Sequence, residues 1–107
     1  MQSVRWGIVG TGRMASMVAG ELAALGRHGI ELGAVASRQL DTAQDFALRH
    51  SIPAACGSVV ELAARDDIDA VYIATPHVRH CDDMLACLEG GMAGRKRVHI
   101  ASMANRP

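Results

Sequence analysis

The chain has 107 residues, of which half are hydrophobic, and it carries no formal net charge. This length suits one compact domain with its own core. The balanced charge excludes a broad basic surface for nucleic acid or anionic lipid. The apolar run that ends at Val9 is too short for a secretion signal, and no stretch is long enough to cross a membrane. We therefore expect a cytoplasmic domain that has neither nucleic acid nor a membrane as a partner.

The cysteines do not form a recognisable framework. Cys56, Cys81 and Cys87 contain no C-x-x-C pair, and an odd number of cysteines does not suit a set of disulfides. We expect them to be buried free thiols in a reducing compartment. No metal site is predicted.

Strand patterns and helix patterns alternate along the chain. Short apolar runs that stop at glycine or proline predict buried strands, and apolar residues at helical spacing predict helices. Asp41 with Gln44, and Ser58 with Glu61, have the spacing of capping boxes. In chain order we expect a strand at 4–9, a helix at 13–25, a strand at 30–36, a helix at 41–50, a strand at 52–56, a short helix after Ser58, a strand at 70–74, a helix at 80–89 ended by Gly90-Gly91, and a strand at 98–101.

Strands that alternate with helices imply a parallel sheet covered on both faces. Right-handed crossovers then favour a Rossmann-like, doubly wound α/β fold with about five strands, incomplete at its last edge. Because no sixth strand is predicted, the strand at 98–101 should leave an exposed edge, and self-association through that edge is expected.

The turn after the first strand carries a glycine-rich fingerprint. It reads G-x-G-x-x-A over Gly10-Thr11-Gly12-Arg13-Met14-Ala15 and lies between a predicted strand and a predicted helix. Gly10 permits a tight turn, Gly12 lets a pyrophosphate approach the backbone, and Ala15 lets the helix pack closely on the strand. The helix N-terminus offers N–H groups to the phosphates. The pattern favours dinucleotide binding over a simple glycine-rich connector.

The end of the second strand bears on the choice of cofactor. In the common NAD pattern an acidic residue there accepts hydrogen bonds from the ribose hydroxyls. Here the strand ends at Ser37-Arg38, with no carboxylate. A guanidinium and a hydroxyl can bind a 2′-phosphate, which favours NADP over NAD. The alternative is that Arg38 is a solvated loop residue and Ser37 a helix cap.

These motifs together resemble the opening of the Gfo/Idh/MocA oxidoreductases, and the dihydrodiol dehydrogenase-like, NADP-linked branch is the most similar. The resemblance spans about residues 4 to 91 and rests on the stretches at 5–15, 35–38 and 72–77, with His80 following. It implies that residues 1–107 form the NAD(P)-binding domain. It also implies that the loop of Thr75, Pro76, His77 and His80 lines the nicotinamide side of the cofactor. The alternative for both histidines is an ordinary exposed helix-start loop.

The resemblance breaks after residue 91. Family members follow the fifth strand with a Glu-Lys-Pro motif whose lysine serves in catalysis, and no such motif is present at 94–104. Lys96 precedes the strand, so the catalytic role is not assigned to it, and no catalytic residue is predicted. The C-terminal substrate domain is also expected to be absent. A truncated or frame-disrupted reading of a longer gene would explain both absences.

Three functions remain open. The first is the nucleotide-binding portion of an oxidoreductase that acts on a sugar, polyol or dihydrodiol-like alcohol. In that case only a full-length relative would bind the substrate. The second is a non-catalytic nucleotide-binding module or inactive remnant of such an enzyme. The third, a flavodoxin-like or receiver-like domain, is disfavoured because a receiver needs acidic residues at its strand ends.

Overall fold

The computed structural model of the chain describes residues 4–95 and 97–102, with the side chains of Arg27 and His77 outside the description. The elements follow one another as strand and helix throughout. They are β1 (Val4–Val9), α1 (Arg13–Ala24), β2 (Ile30–Ala36), α2 (Leu40–His50), β3 (Ala54–Cys56), α3 (Val59–Ala63), β4 (Ala70–Ile73), α4 (His80–Ala93) and β5 (His99–Ser102), with single 3₁₀ turns at Gly26–His28 and His77–Arg79.

All five strands form one parallel sheet in the order β3-β2-β1-β4-β5. The chain builds outward from β1 to one edge through β2 and β3, then returns to the other side of β1 with β4 and β5. The strand order therefore reverses beside β1, as in the Rossmann-type doubly wound fold. The predicted fold class is confirmed.

The two faces of the sheet carry separate hydrophobic cores. Ile8 and Val35 pack with α1 and α2 on one face, around the fully buried Phe46. Val9 and Val71 pack with α3 and α4 on the other face. Adjacent residues of a strand point to opposite faces, so the apolar second half of β1 and the apolar run of β4 are what a sheet buried on both sides requires.

Helix α4 differs from the prediction, which ended it at Gly90-Gly91. The helix continues to Ala93 and buries both glycines. A Cβ on Gly90 would stand 2.5 Å from the Val60 carbonyl oxygen and 2.6 Å from the Ala63 Cβ of α3. These glycines therefore permit close helix packing, and the packing overrides their usual role as helix terminators.

The predicted capping boxes have different outcomes. Helix α2 begins at Leu40 with Gln39 as its N-cap, so Asp41 lies inside the first turn and the predicted Asp41–Gln44 box is wrong. At α3, Ser58 Oγ accepts a hydrogen bond of 3.1 Å from the Glu61 N–H. Glu61 Oε2 accepts one of 3.0 Å from the N–H of Gly57, one residue before the N-cap. The second box thus forms with its reciprocal bond shifted by one residue.

Other boundaries differ from the predictions by one or two residues, which is the usual uncertainty of helix and strand ends. Helix α1 ends at Ala24, β3 begins at Ala54, β4 ends at Ile73, and β5 covers His99–Ser102. Within the described residues, none of the helices is both long and apolar enough to span a membrane.

Candidate functional site

An open cleft of about 1270 Å³ lies at the carboxyl ends of β1, β2 and β4. It is the place where the strand order reverses, and open α/β sheets bind their ligands at such a point. The lining residues come from the turns after these strands and from the starts of the helices that follow. They are Val9, Gly10, Thr11, Gly12, Arg13, Met14, Ala36, Ser37, Arg38, Gln39, Thr42, Gly57, Ser58, Val59, Val60, Ile73, Ala74, Thr75, Pro76, Arg79, His80, Asp83 and Ala86.

Gly10 closes the floor of this cleft, where β1 separates from its neighbours. Its N–H donates a 2.9 Å hydrogen bond to Ala36 O, and the Ala74 N–H donates one of 2.9 Å to Val9 O. The φ angle of Gly10 is +113°, and a Cβ there would stand 3.1 Å from Ala74 O. Both the backbone angle and the close approach require glycine at this position.

Gly12 presents an open surface at the start of α1. It is the N-cap of the helix, and a Cβ on it would meet no heavy atom within 4 Å. The α1 N-cap forms no side-chain capping bond, and its first turn contains no acidic residue. The first-turn N–H groups have no intrahelical acceptors, so they can bind an anion that enters the cleft.

The neighbouring residues of the α1 turn divide between solvent and core. Arg13 and Met14 are exposed and line the cleft. Ala15 is completely buried against the sheet, as close packing of α1 on β1 requires. The turn thus combines an open anion-binding face with a tightly packed base.

The cleft wall after β2 is cationic. Ser37 is half-buried, its N–H donates a 3.2 Å bond to Cys56 O, and its Oγ accepts a 3.5 Å bond from the Gln39 N–H. Arg38 is exposed and lines the cleft, and no hydrogen bond or ion pair engages its side chain within the described part of the chain. This wall can therefore receive an anionic group.

The wall after β4 is held by two side-chain hydrogen bonds. Thr75 Oγ1 donates to Asp83 Oδ2 in the first turn of α4, and His80 Nε2 is hydrogen-bonded to Ser102 Oγ at the end of β5. Pro76 is exposed and lines the cleft. The backbone of His77 lies in the 3₁₀ turn before α4, but its side chain is outside the described structure.

The cysteines offer no reactive thiol to the cleft. Burial raises the pKa of the Cys56 thiol above its usual value. The nearby Glu61 carboxylate raises this pKa further, and the Arg65 guanidinium lowers it. Burial, followed by the nearby Asp83 carboxylate, raises the pKa of Cys87 to about 12. Cys56 and Cys87 are buried as expected, but Cys81 is exposed, so the prediction of a buried thiol is wrong there. All three thiols are free.

A family model connects this geometry to known proteins. Residues 4–98 match the Gfo/Idh/MocA model, described as an oxidoreductase family with an NAD-binding Rossmann fold. The chain belongs to this family. Its matched part is the NAD-binding portion of an oxidoreductase, as the resemblance implied.

Individual relatives match the same part of the chain as the Gfo/Idh/MocA family model. The chain is 42% identical over 91 residues to the trans-1,2-dihydrobenzene-1,2-diol dehydrogenase of Bos taurus, a match covering 85% of this chain and 27% of that protein. The enzyme of the same name from Homo sapiens is 40% identical over 91 residues, with the same coverage. The chain thus spans about a quarter of the length of these relatives.

Solved structures support the fold independently. A levoglucosan dehydrogenase in complex with NADH and L-sorbose superimposes with a TM-score of 0.76 at 23% identity, covering 94% of this chain and 27% of that one. The apo scyllo-inositol dehydrogenase from Lactobacillus casei superimposes with a TM-score of 0.72 at 23% identity, covering 92% of this chain and 28% of that one. At this identity the likeness shows the shared fold.

The cleft of this Gfo/Idh/MocA domain brings most of the predicted site residues together. Gly10 to Met14, Ser37, Arg38, Thr75, Pro76 and His80 all line it. Sequence reasoning missed the strand-end residues Val9, Ala36, Ile73 and Ala74, and also Gln39, Thr42, the segment 57–60, Arg79, Asp83 and Ala86. Gly57-Ser58 was the signal for the turn after β3, because these residues end a strand on the same side of the sheet. Asp83 carried no such signal, since its contact with Thr75 depends on how α4 packs.

Proposed function

We propose that residues 1–107 form a domain that binds a nicotinamide dinucleotide in the cleft at the strand ends. The observation that carries the proposal is the open Cβ position of Gly12 at the start of α1, beside the positive-φ turn at Gly10. A pyrophosphate fits there because it would contact backbone N–H groups without meeting a side chain. Thr11, Arg13 and Met14 would flank it.

The adenosine half would extend toward Ser37 and Arg38, and NADP is the preferred cofactor. Lining residues of the cleft include a single carboxylate, Asp83, which belongs to the wall after β4. The wall after β2 thus lacks the acidic group that accepts from an unmodified ribose. Arg38 supplies a charge that would pair with a 2′-phosphate instead. NAD remains the second cofactor to test.

The nicotinamide half would lie on the opposite wall, against Thr75, Pro76 and His80. His77 belongs to the same proposed set through its place in the chain. When bound, the cofactor would supply the hydride chemistry, and the domain would hold and orient it. No described residue of this wall is assigned a catalytic role.

We place the parent activity among oxidoreductases that act on a sugar, polyol or dihydrodiol-like alcohol. The named relatives support this class, since they are dihydrodiol, levoglucosan and scyllo-inositol dehydrogenases. The 107 residues by themselves are proposed to be inactive, because they contain no Glu-Lys-Pro motif after β5. That absence also favours the second candidate, a non-catalytic nucleotide-binding module or remnant.

The deciding experiment is an equilibrium titration of the purified chain with NADPH, NADP⁺, NADH and NAD⁺. Binding of NADPH can be followed by its fluorescence, and the other three by displacement or calorimetry. We expect saturable binding with one site per chain and tighter binding of the phosphorylated pair. If none of the four binds at millimolar concentration, the proposal is wrong.

Two further proposals concern the environment of the domain. The outer edge of β5 pairs with no strand among the described residues, which supports self-association through that edge. Sedimentation at several concentrations tests it, and a concentration-independent monomer would contradict it.

The free thiols support a reducing, cytoplasmic location. Fractionation of cells that express the protein tests that location.

A further inference from the structure

Asp83 stands apart from the other charged residues of the molecule. It is the one charged side chain that is buried within the described ranges, with 5% of its surface exposed. It nevertheless lines the cleft, and it accepts a hydrogen bond from the Thr75 hydroxyl. A buried carboxylate costs free energy unless it is compensated, so its place beside a binding cleft calls for an explanation.

The Thr75–Asp83 pair belongs to the wall of the cleft after β4, next to the floor at Gly10. Thr75 follows β4 directly, and its Cγ2 lies 3.3 Å from the position of a Cβ on Gly10. Gly10 in turn is bonded to the end of β2 through Ala36 O. Burial and the hydrogen bond from Thr75 therefore place the carboxylate beside the glycine-rich turn.

The geometry also shows which half of a dinucleotide would approach this carboxylate. In a doubly wound sheet the pyrophosphate lies at the N-terminus of α1, and the adenosine ribose lies at the end of β2. Ser37 and Arg38 stand at the end of β2, on one side of Gly12. The other half of the molecule must extend to the opposite side, where Thr75 and Asp83 line the cleft.

We infer that Asp83 makes the cleft bind the oxidised cofactor more tightly than the reduced one, an inference that rests on the proposed function. The oxidised nicotinamide is a pyridinium cation, whereas the reduced ring is neutral. A fixed carboxylate attracts only the former. Charges several ångströms apart near a protein surface interact strongly enough to change affinity by roughly ten-fold.

The basic side chains on the same wall do not cancel this effect. Arg79 also lines the cleft, but it is half-buried rather than buried, so water and salt screen its charge more than that of Asp83. His80 lines the cleft as well and is engaged with Ser102 at the end of β5. Asp83 is therefore the least screened charge on this side.

The test compares three forms of the full chain: unmutated, Asp83→Asn and Asp82→Asn. Asparagine at position 83 keeps an oxygen to accept from Thr75 but removes the charge. Asp82 lies in the same helical turn, is exposed and does not line the cleft, so its variant is matched in charge. For each form, dissociation constants are measured for NADP⁺, NADPH and 2′-phospho-AMP, which lacks the nicotinamide half.

We expect Asp83→Asn to weaken the binding of NADP⁺ by about 3- to 10-fold relative to the binding of NADPH. The dissociation constant of 2′-phospho-AMP should not change. The Asp82→Asn variant should leave the ratio as it is. Equal weakening of both redox forms, or loss of 2′-phospho-AMP binding, would show a structural role and overturn the inference.

One measurement needs no variant, and so it can overturn the inference even if Asp83→Asn does not fold. The unmutated chain should bind NADP⁺ more tightly than NADPH, and the opposite order overturns the inference while leaving the proposed function intact. If the unmutated chain binds neither form nor 2′-phospho-AMP, it is the proposed function that fails.

Discussion

Gly90 of α4 lies against Val60 of α3 so closely that a Cβ on Gly90 would stand 2.5 Å from the Val60 carbonyl oxygen. The neighbouring atom belongs to the backbone and cannot rotate away. Val60 also lines the cleft, which places this helix contact directly behind the wall formed by 57–60. The packing of α3 on α4 therefore supports both the core and the site.

Gly90→Ala should destabilise the domain by about 1–3 kcal/mol, because overpacking will outweigh the gain in helix propensity. Gly20→Ala is the matched control, since Gly20 lies in α1 with no atom within 4 Å of its Cβ position. The control should stabilise the domain by about 0.5–1 kcal/mol. Urea denaturation followed by circular dichroism measures both. Equal stability of the two variants would contradict the close packing.

Gly12→Val should abolish dinucleotide binding and leave the fold intact. The backbone of Gly12 is extended, with φ −87° and ψ −162°, which valine adopts without strain. Its side chain would occupy the space where the pyrophosphate approaches. Titration with NADPH measures the loss, and circular dichroism checks the fold. Gly20→Val serves as the control on the same helix, and undiminished affinity in Gly12→Val would place the cofactor elsewhere.

Arg38→Ala should remove the preference for NADP. Loss of a charged hydrogen-bonding partner of the 2′-phosphate should weaken NADPH roughly ten-fold and leave NADH almost unchanged. Arg49→Ala removes the same charge from α2 at a position outside the cleft lining. Equal dissociation constants for NADPH and NADH in the unmutated chain would exclude the preference from the start.

The 107-residue chain should show no dehydrogenase turnover. It has no Glu-Lys-Pro motif after β5, so the lysine to which the family resemblance gives a role in catalysis is missing from these residues. A sensitive NADPH-formation assay with sugars and dihydrodiols measures this. His77 and His80 are the side chains of the proposed nicotinamide wall whose chemistry includes general acid–base catalysis. Sustained turnover that is lost in His77→Ala or His80→Ala would restore an enzymatic role to the chain.

Stability should fall in alkaline solution, partly because of Cys87. The pKa of this thiol is raised from 9.0 to about 12 by burial and by Asp83. Above pH 9 the unfolded chain loses this proton and the folded chain keeps it, so the free energy of unfolding decreases as pH rises toward 12. One such proton gives a slope of at most about 1.4 kcal/mol per pH unit.

Urea denaturation between neutral pH and pH 10.5 measures this slope, which is compared with that of Cys87→Ala. The variant removes the thiol, so the slope should fall by the contribution of one proton, which is at most about 1.4 kcal/mol per pH unit. Cys81 gives the matched control, because Cys81→Ala removes a thiol that is exposed rather than buried. Identical slopes in the unmutated chain and Cys87→Ala would refute the assignment.

Local signals in the sequence were sufficient to predict the order of elements and part of the site. The alternation of strands and helices and the Ser58 cap depend on contacts between residues close in the chain. A glycine with φ of +113° at a strand end is required by the local backbone path, so a motif reveals it. The wall at Ser37 and Arg38 was predictable for a similar reason, because it follows a recognisable strand.

Only the tertiary structure decided what depends on packing between distant elements. The sequence predicted that α4 would end at Gly90. Instead, α3 packs so closely against α4 at this residue that there is room for a hydrogen atom but not for a side chain. Asp83 likewise reads as one of two acidic residues at a helix start. It differs from Asp82 because the packing of α4 on the sheet buries it and turns it toward Thr75. Burial and close approach are properties of pairs of elements, and no spacing within one element encodes them.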